Sequence, residues 1–202
     1  MHRLIDGYKR FRDGNWPERR QLMQTLAVEG QSPTALVVAC ADSRVDPTMI
    51  FDAAPGELFV VRNVANLVPP FAPDAAYHGT SAALEFGIRV LQIPELVVLG
   101  HANCGGIKAL MHGAPDAASD FVGPWISIAA PVRKAVLECY EPQDWQTRAE
   151  QETVRLSVRN LMTFPWIAER VENRSLHIRG AHFGIYTGVL TLLGEDGSFA
   201  PA

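Results

Sequence analysis

Three short runs of unbroken apolar residues stand out along the chain: 35–39 (ALVVA), 58–61 (LFVV) and 96–99 (LVVL). Runs of four or five residues with no polar alternation predict strands buried on both faces, as in a parallel sheet. Residues 176–178 form a weaker fourth run. Residues 189–193 predict an edge strand paired near 184–186. Between the second and third runs the period changes: Ala82, Phe86 and Val90 recur four residues apart, which predicts a helix over 77–92. Residues 106–112, 121–140 and 146–162 also read as helical. Strands alternating with helices imply a doubly wound α/β fold with a mostly parallel central sheet flanked by helices.

Residues 1–30 have a different character. Leu4, Tyr8 and Phe11 fall on one helical stripe, and Leu22, Leu26 and Val28 follow after an expected break at Asn15-Trp16-Pro17. The stripe is set among polar residues, so 1–30 reads as a helical arm lying on something else, a partner subunit being the natural choice. Residues 31–202 then form a single catalytic-sized α/β domain. The polar stretch 140–152 reads as a connection between helices, not a boundary.

Composition narrows the class. The chain has 202 residues, 48% hydrophobic and 20% charged, which suits a globular fold without disulfide staples. Its net charge of −4 argues against nucleic-acid binding, which calls for a basic face. No apolar run is long enough to span a membrane. The charged stretch MHRLIDGYKRFRDGNWPERR lacks the apolar core of a signal peptide, so a cytoplasmic, reducing location is expected. Three cysteines in that setting are metal ligands, catalytic thiols or core residues.

Open α/β sheets bind ligands at the carboxyl ends of their strands. The first strong strand runs into Cys40, and the third runs into His101-Ala102-Asn103-Cys104. Two thiolates and an imidazole are zinc ligands, and three of them leave a fourth position open, as catalytic zinc sites do. A bland reading stays open beside this one: a small cysteine at a buried strand end, and a His-x-x-Cys that is weak taken alone. Asp42 and Arg44 follow Cys40 closely enough to reach the same crevice, either as a carboxylate–guanidinium pair beside the metal or as a surface pair or helix cap. Cys139 reads as core or helix surface. His2, His112, His177 and His182 have no evident partner, and His78 stands at the start of a helix.

With Cys40-Ala41-Asp42-Ser43-Arg44, Arg62-Asn63-Val64-Ala65-Asn66, Gly100-His101-Ala102-Asn103-Cys104-Gly105-Gly106 and Asn160-Leu161-Met162-Thr163-Phe164-Pro165 in this order, the chain resembles a β-class carbonic anhydrase of the plant-like branch. The resemblance implies one zinc per chain on Cys40, His101 and Cys104, with Asp42 joining them only in a closed state. It implies reversible hydration of CO2 to bicarbonate and a proton, with zinc-bound hydroxide attacking CO2 and an Asp42/Arg44 dyad orienting it. Gln31, Phe59, Val64, Phe86 and Gly105 fall on the substrate-pocket positions, Phe86 where many members carry Tyr. The family's pocket lies at a homodimer interface, so shared active sites are expected, with assembly to a tetramer or octamer left open. A second bicarbonate site known in another branch uses Trp, Arg and Tyr. Here the Trp position is Val37, with Arg62 and Tyr186 near the other two, so an always-open site is expected. The alternatives are a CS2 or carbonyl sulfide hydrolase on the same scaffold, a non-catalytic zinc or bicarbonate sensor, and a cysteine redox role.

Overall fold

In the computed structural model, which describes residues 1–202, the apolar runs become strands of one six-stranded sheet. The strands β1 (Ala35–Cys40), β2 (Leu58–Asn63), β3 (Glu95–His101) and β4 (His177–Phe183) run parallel. Two antiparallel strands, β5 (Leu190–Leu193) and β6 (Phe199–Pro201), complete the order β2-β1-β3-β4-β5-β6. The chain is thus a single α/β domain with a mostly parallel sheet, as its sequence predicts.

Two strand expectations are corrected. The weak fourth run is a seven-residue interior strand whose second half is Gly180-Ala181-His182-Phe183. Small residues are required there: a Cβ on Gly180 would lie 2.9 Å from Val154 Cγ1 and 3.0 Å from Leu193 Cβ. The fifth strand is not the edge. It pairs with residues 181–183 of β4, and β6 covers its other side. Residues 184–188 instead make the turn, closed by Gly184 N–H donating to Val189 O at 2.9 Å.

The parallel strands are connected by α3 (Pro47–Ile50), α4 (Gly79–Glu85) and its π-helical last turn (Phe86–Val90), α5 (Gly105–His112), α6 (Val122–Ile126), α7 (Ala130–Cys139), α8 (Trp145–Leu161) and α9 (Pro165–Glu172). Alternation along the strands splits the core. Leu36, Val38, Leu96 and Val98 face Leu84, Ile88, Val154, Leu161 and Ile167 of α4, α8 and α9. Val37, Ala39, Leu99 and Ala181 form a smaller cluster on the opposite face. A third cluster, with Ile107, Leu110, Val132 and Val136 of α5 and α7, closes around Cys40 and Cys104.

The first thirty residues are helical without the expected break. Helices α1 (His2–Arg10) and α2 (Trp16–Glu29) are joined by a π turn over Phe11–Asn15. Pro17 is the second residue of α2 and follows directly on the widened turn, which accommodates the N–H it lacks. No residue of this segment is buried, and Leu4 (76%) and Tyr8 (59%) present their apolar surface to solvent. No helix is long and apolar enough to cross a membrane.

Candidate metal centre

The sheet order places a crevice where the site was expected. From β1 the chain moves outward to β2, then crosses to the other side of β1 to form β3. Connections leaving β1 and β3 therefore diverge, and the gap at their carboxyl ends is the switch point where such folds bind ligands. Cys40 is the last residue of β1, and His101 is the last of β3. Cys104 follows at the N-cap of α5.

The three side chains converge. Cys40 Sγ, Cys104 Sγ and a ring nitrogen of His101 lie within 4.8 Å of one another, all buried. The sulfurs are 3.8 Å apart and both cysteines are free. Two thiolates on one tetrahedral zinc at about 2.3 Å stand about 3.8 Å apart, so the cage already has the required span. His101 Nδ1 donates to Ala102 O at 2.9 Å, which leaves Nε2 as an acceptor. That buried Nε2 has no hydrogen-bond partner, although buried polar atoms are normally satisfied. An electron-pair donor kept bare between two thiols fits a soft or borderline divalent cation.

The electrostatics agree. Donation from Cys104 pulls the Cys40 thiol down into the thiolate form, aided by His101 and by the N–H groups of Asp42 and Ala65. The same bond, burial and the charge of the Cys40 thiolate push Cys104 up, so the proton of the pair stays on its sulfur. The N–H groups of Gly106 and Ile107, at the start of α5, point at Cys104 and oppose that rise. Burial lowers His101, but the Cys40 thiolate, the Ala102 carbonyl and the Asp42 charge together raise the imidazole. A divalent cation here would favour thiolate at both sulfurs and a neutral, ligating imidazole.

Backbone features hold this shape. Ala65 adopts φ 65° and Asn103 φ 56°, a region costly for residues with a Cβ. Gly106 packs under the first of them: a Cβ there would be 2.7 Å from Val64 Cγ1 and 3.0 Å from Ala65 Cβ. Asn63 closes the 63–67 loop, accepting from Leu67 N–H at 3.0 Å and donating to Leu67 O at 2.8 Å. Arg62 donates to Cys40 O at 2.9 Å, Asp42 O at 2.6 Å and Asp46 Oδ2 at 3.0 Å. It thus clamps the segment that carries both the first ligand and the carboxylate.

That carboxylate is paired. Asp42 Oδ1 accepts from Arg44 Nε at 2.9 Å and from Arg44 N–H at 3.0 Å, and Oδ2 accepts from Nη2 at 2.7 Å. Arg44 Nη2 also donates to Asn103 O at 3.1 Å, which ties the dyad to the His101–Cys104 turn. The Arg44 guanidinium holds the Asp42 carboxyl well below the usual carboxylate range. Asp42 is not a helix cap; Asp46 caps α3, accepting from Thr48 N–H at 2.9 Å.

The remaining predicted residues divide in two. Val64 adjoins Gly106, and its carbonyl accepts from Trp125 Nε1 at 2.8 Å. A Cβ on Gly105 would meet open space. Phe59 and Phe86 stack on each other with centroids 6.0 Å apart, but away from this centre. Phe59 pairs with Leu36, four residues below the Cys40–Asn63 pair, or about 13 Å along the strands. Gln31 precedes the start of β1, also at the far end, and is exposed. Two residues that pattern reading missed do belong here. Glu150 Oε1 accepts from Cys104 N–H at 2.9 Å, and Gln146 Nε2 donates to Cys104 O at 3.1 Å. His182, which had no evident partner, stands 3.4 Å from Glu150 Oε2. Cys139 is exposed and takes no part.

Comparison with known proteins gives a consistent family. A family model described as carbonic anhydrase matches residues 35–190. Beta carbonic anhydrase 3 of Arabidopsis thaliana is 39% identical over 209 residues, covering 100% of this chain and 80% of the relative. The structure of the β-carbonic anhydrase CcaA superposes with a TM-score of 0.91 at 32% identity, covering 100% of this chain and 92% of that one. A pair of tetrameric β-carbonic anhydrases from Sordaria macrospora is represented by a chain with a TM-score of 0.82 at 26% identity, covering 96% of each.

Proposed function

This chain belongs to the β-class carbonic anhydrase family, and we propose that it carries out reversible hydration of CO2 on a single zinc ion held by Cys40, His101 and Cys104. The observation that carries this reading is the buried Cys-His-Cys cage with its bare His101 Nε2. Zinc on three protein ligands lowers the pKa of a water to about 7 and so supplies hydroxide at neutral pH.

The chain's own residues supply positioning. Oδ1 of Asp42 is filled by two donors, whereas Oδ2 takes only one. A carboxylate oxygen has two lone-pair directions, so Oδ2 keeps one to accept from the reacting water and turn its lone pair toward the carbon. Arg44 keeps Asp42 ionised and fixed. Val64 and the space above Gly105 give CO2 an apolar approach. Two thiolates and a dication sum to zero charge, which lets anionic bicarbonate leave while the proton passes to solvent.

The pocket is shared between two subunits in this reading. The stacked Phe59 and Phe86, together with Gln31, lie at the far end of their own sheet and complete a partner's pocket. In support, Phe86 (44%) is exposed with Val90 (62%) one turn on, and no residue of the 1–30 helix is buried on its own chain, where Leu26 rests on Gly56. A dimer with that arm laid on the partner satisfies both. Free thiols 3.8 Å apart favour a reducing location, the cytoplasm. Stopped-flow CO2 hydration on the zinc-loaded protein, run beside CS2 hydrolysis, tests the reaction. Faster turnover of CS2 than of CO2, or turnover of neither, would count against it.

A further inference from the structure

Two side chains of α8 grip the backbone of one ligand. Glu150 is buried to 3% exposure, and its Oε1 accepts both Cys104 N–H at 2.9 Å and Gln146 Nε2 at 2.6 Å. The same Gln146 nitrogen donates to Cys104 O at 3.1 Å. Both polar backbone groups of Cys104 are therefore held by residues one helical turn apart. The next residue on that face, Val154, is pressed onto the sheet. A Cβ on Gly100 would lie 2.5 Å from Val154 Cγ2, and one on Gly180 would lie 2.9 Å from Val154 Cγ1. Gln146, Glu150 and Val154, spaced four apart, form a bar seated on β3, which carries His101, and on its neighbour β4.

Burying a carboxylate costs several kcal/mol unless its oxygens are well used. A core position on an amphipathic helix does not need one, and an aliphatic residue would fill the space more cheaply. Here Oε1 has two donors, and His182 Nε2 stands 3.4 Å from Oε2. A Leu could fill the same space but would make none of these hydrogen bonds. It does fix where Cys104 Sγ sits relative to Cys40 Sγ.

We propose that Glu150, assisted by Gln146, is a positioning residue of the metal centre that sets how firmly the Cys40–His101–Cys104 cage retains its divalent metal. This rests on the zinc reading of the cage. Supporting groups of this kind typically change metal affinity by about 10–100-fold.

The test is the rate at which the zinc-loaded full-length protein yields its metal to a chromogenic chelator, with melting temperature measured alongside. Glu150→Leu should release zinc about 10–100-fold faster. Glu150→Gln keeps an acceptor oxygen for Cys104 N–H and should stay within about threefold of the parent, where loss of the outer support typically costs at least tenfold. Ser157→Ala provides the structural control. It removes buried hydrogen bonds to Asn66 O and Val68 N–H from the same helix, so it should lower the melting temperature and leave metal release unchanged. If Glu150→Leu does not fold, Gln146→Met, at a half-buried position, removes the donor to Glu150 Oε1 and one of the two donors to Cys104 O, the other being Lys108 N–H, and should accelerate release in the same direction. A parent protein that binds no zinc overturns both this proposal and the reading beneath it. A zinc-retaining parent whose Glu150→Leu or Gln146→Met variant releases metal at the parent rate overturns the proposal alone. So does a Ser157→Ala variant that releases metal as fast as Glu150→Leu.

Discussion

Replacing Asp42 with Asn separates orientation from metal binding. In the parent, three donors from Arg44 converge on two carboxylate oxygens, at 2.9 and 3.0 Å on Oδ1 and 2.7 Å on Oδ2. An Asn that keeps its oxygen at the Oδ1 position sets Nδ2 against Arg44 Nη2, donor facing donor. The charge-assisted hydrogen bond to Oδ2 is lost there. Flipping the amide is worse, since two donors then face an NH2. In the first arrangement the free acceptor direction on Oδ2 disappears, and with it the means of orienting the reacting water. Removing one positioned proton partner typically costs about 10²–10⁴-fold, or roughly 2.7–5.5 kcal/mol of barrier. Stability should change far less. The pair is 51% exposed on the Arg44 side, and exposed ion pairs contribute about 0–1 kcal/mol. Asp42 is also not among the clustered ligands, so zinc content should stay at one per chain. The assay is stopped-flow CO2 hydration with metal analysis and a melting curve on one preparation. A rate within threefold of the parent with zinc intact would make Asp42 a bystander. Loss of zinc together with activity would place Asp42 in the cage and refute the division of roles.

Removing residues 1–30 should shift the protein toward monomer in analytical ultracentrifugation and lower activity with it, because Leu4, Tyr8 and Phe11 would cover the partner; a fully active monomer would contradict the shared pocket. Rising bicarbonate should slow hydration without cooperativity near neutral pH. Val37 is core at 1% exposure, Arg62 already donates to Cys40 O, Asp42 O and Asp46, and Tyr186 is 93% exposed, so a second anion finds no donor set. A sigmoidal rate curve, or a crystal structure with bicarbonate beside Val37, would show otherwise.

What the sequence reveals depends on how locally each feature is encoded. The strands ALVVA and LVVL announce themselves because both faces are buried, and the ligands at their ends follow from chain order. The fourth strand is faint because Val154 and Leu193 crowd its middle, so Gly180 stands where a bulky residue would mark it. The short α3 is set by a cap and a proline, not by periodicity, and β6 has only three residues. The dyad is legible since Asp42 and Arg44 are two residues apart. Glu150 is not, because it sits among Glu, Gln and Arg on a polar-looking helix and meets Cys104 only after α8 docks. Nor does spacing along the chain show that Phe59, on which Phe86 stacks, lies about 13 Å along the strands from Cys40; that follows from strand register.

Zinc-edge X-ray absorption on the purified protein reports the identity and distance of the metal's neighbours directly. The expected result is one zinc per chain with two sulfurs at about 2.3 Å and one imidazole nitrogen at about 2.0–2.1 Å. In Cys40→Ser one sulfur should vanish from the shell, or the metal should be lost, with CO2 hydration falling in step. A shell of oxygen and nitrogen only, or a Cys40→Ser protein with full zinc and full hydration, would contradict the assignment of Cys40, His101 and Cys104 as the catalytic metal's ligands.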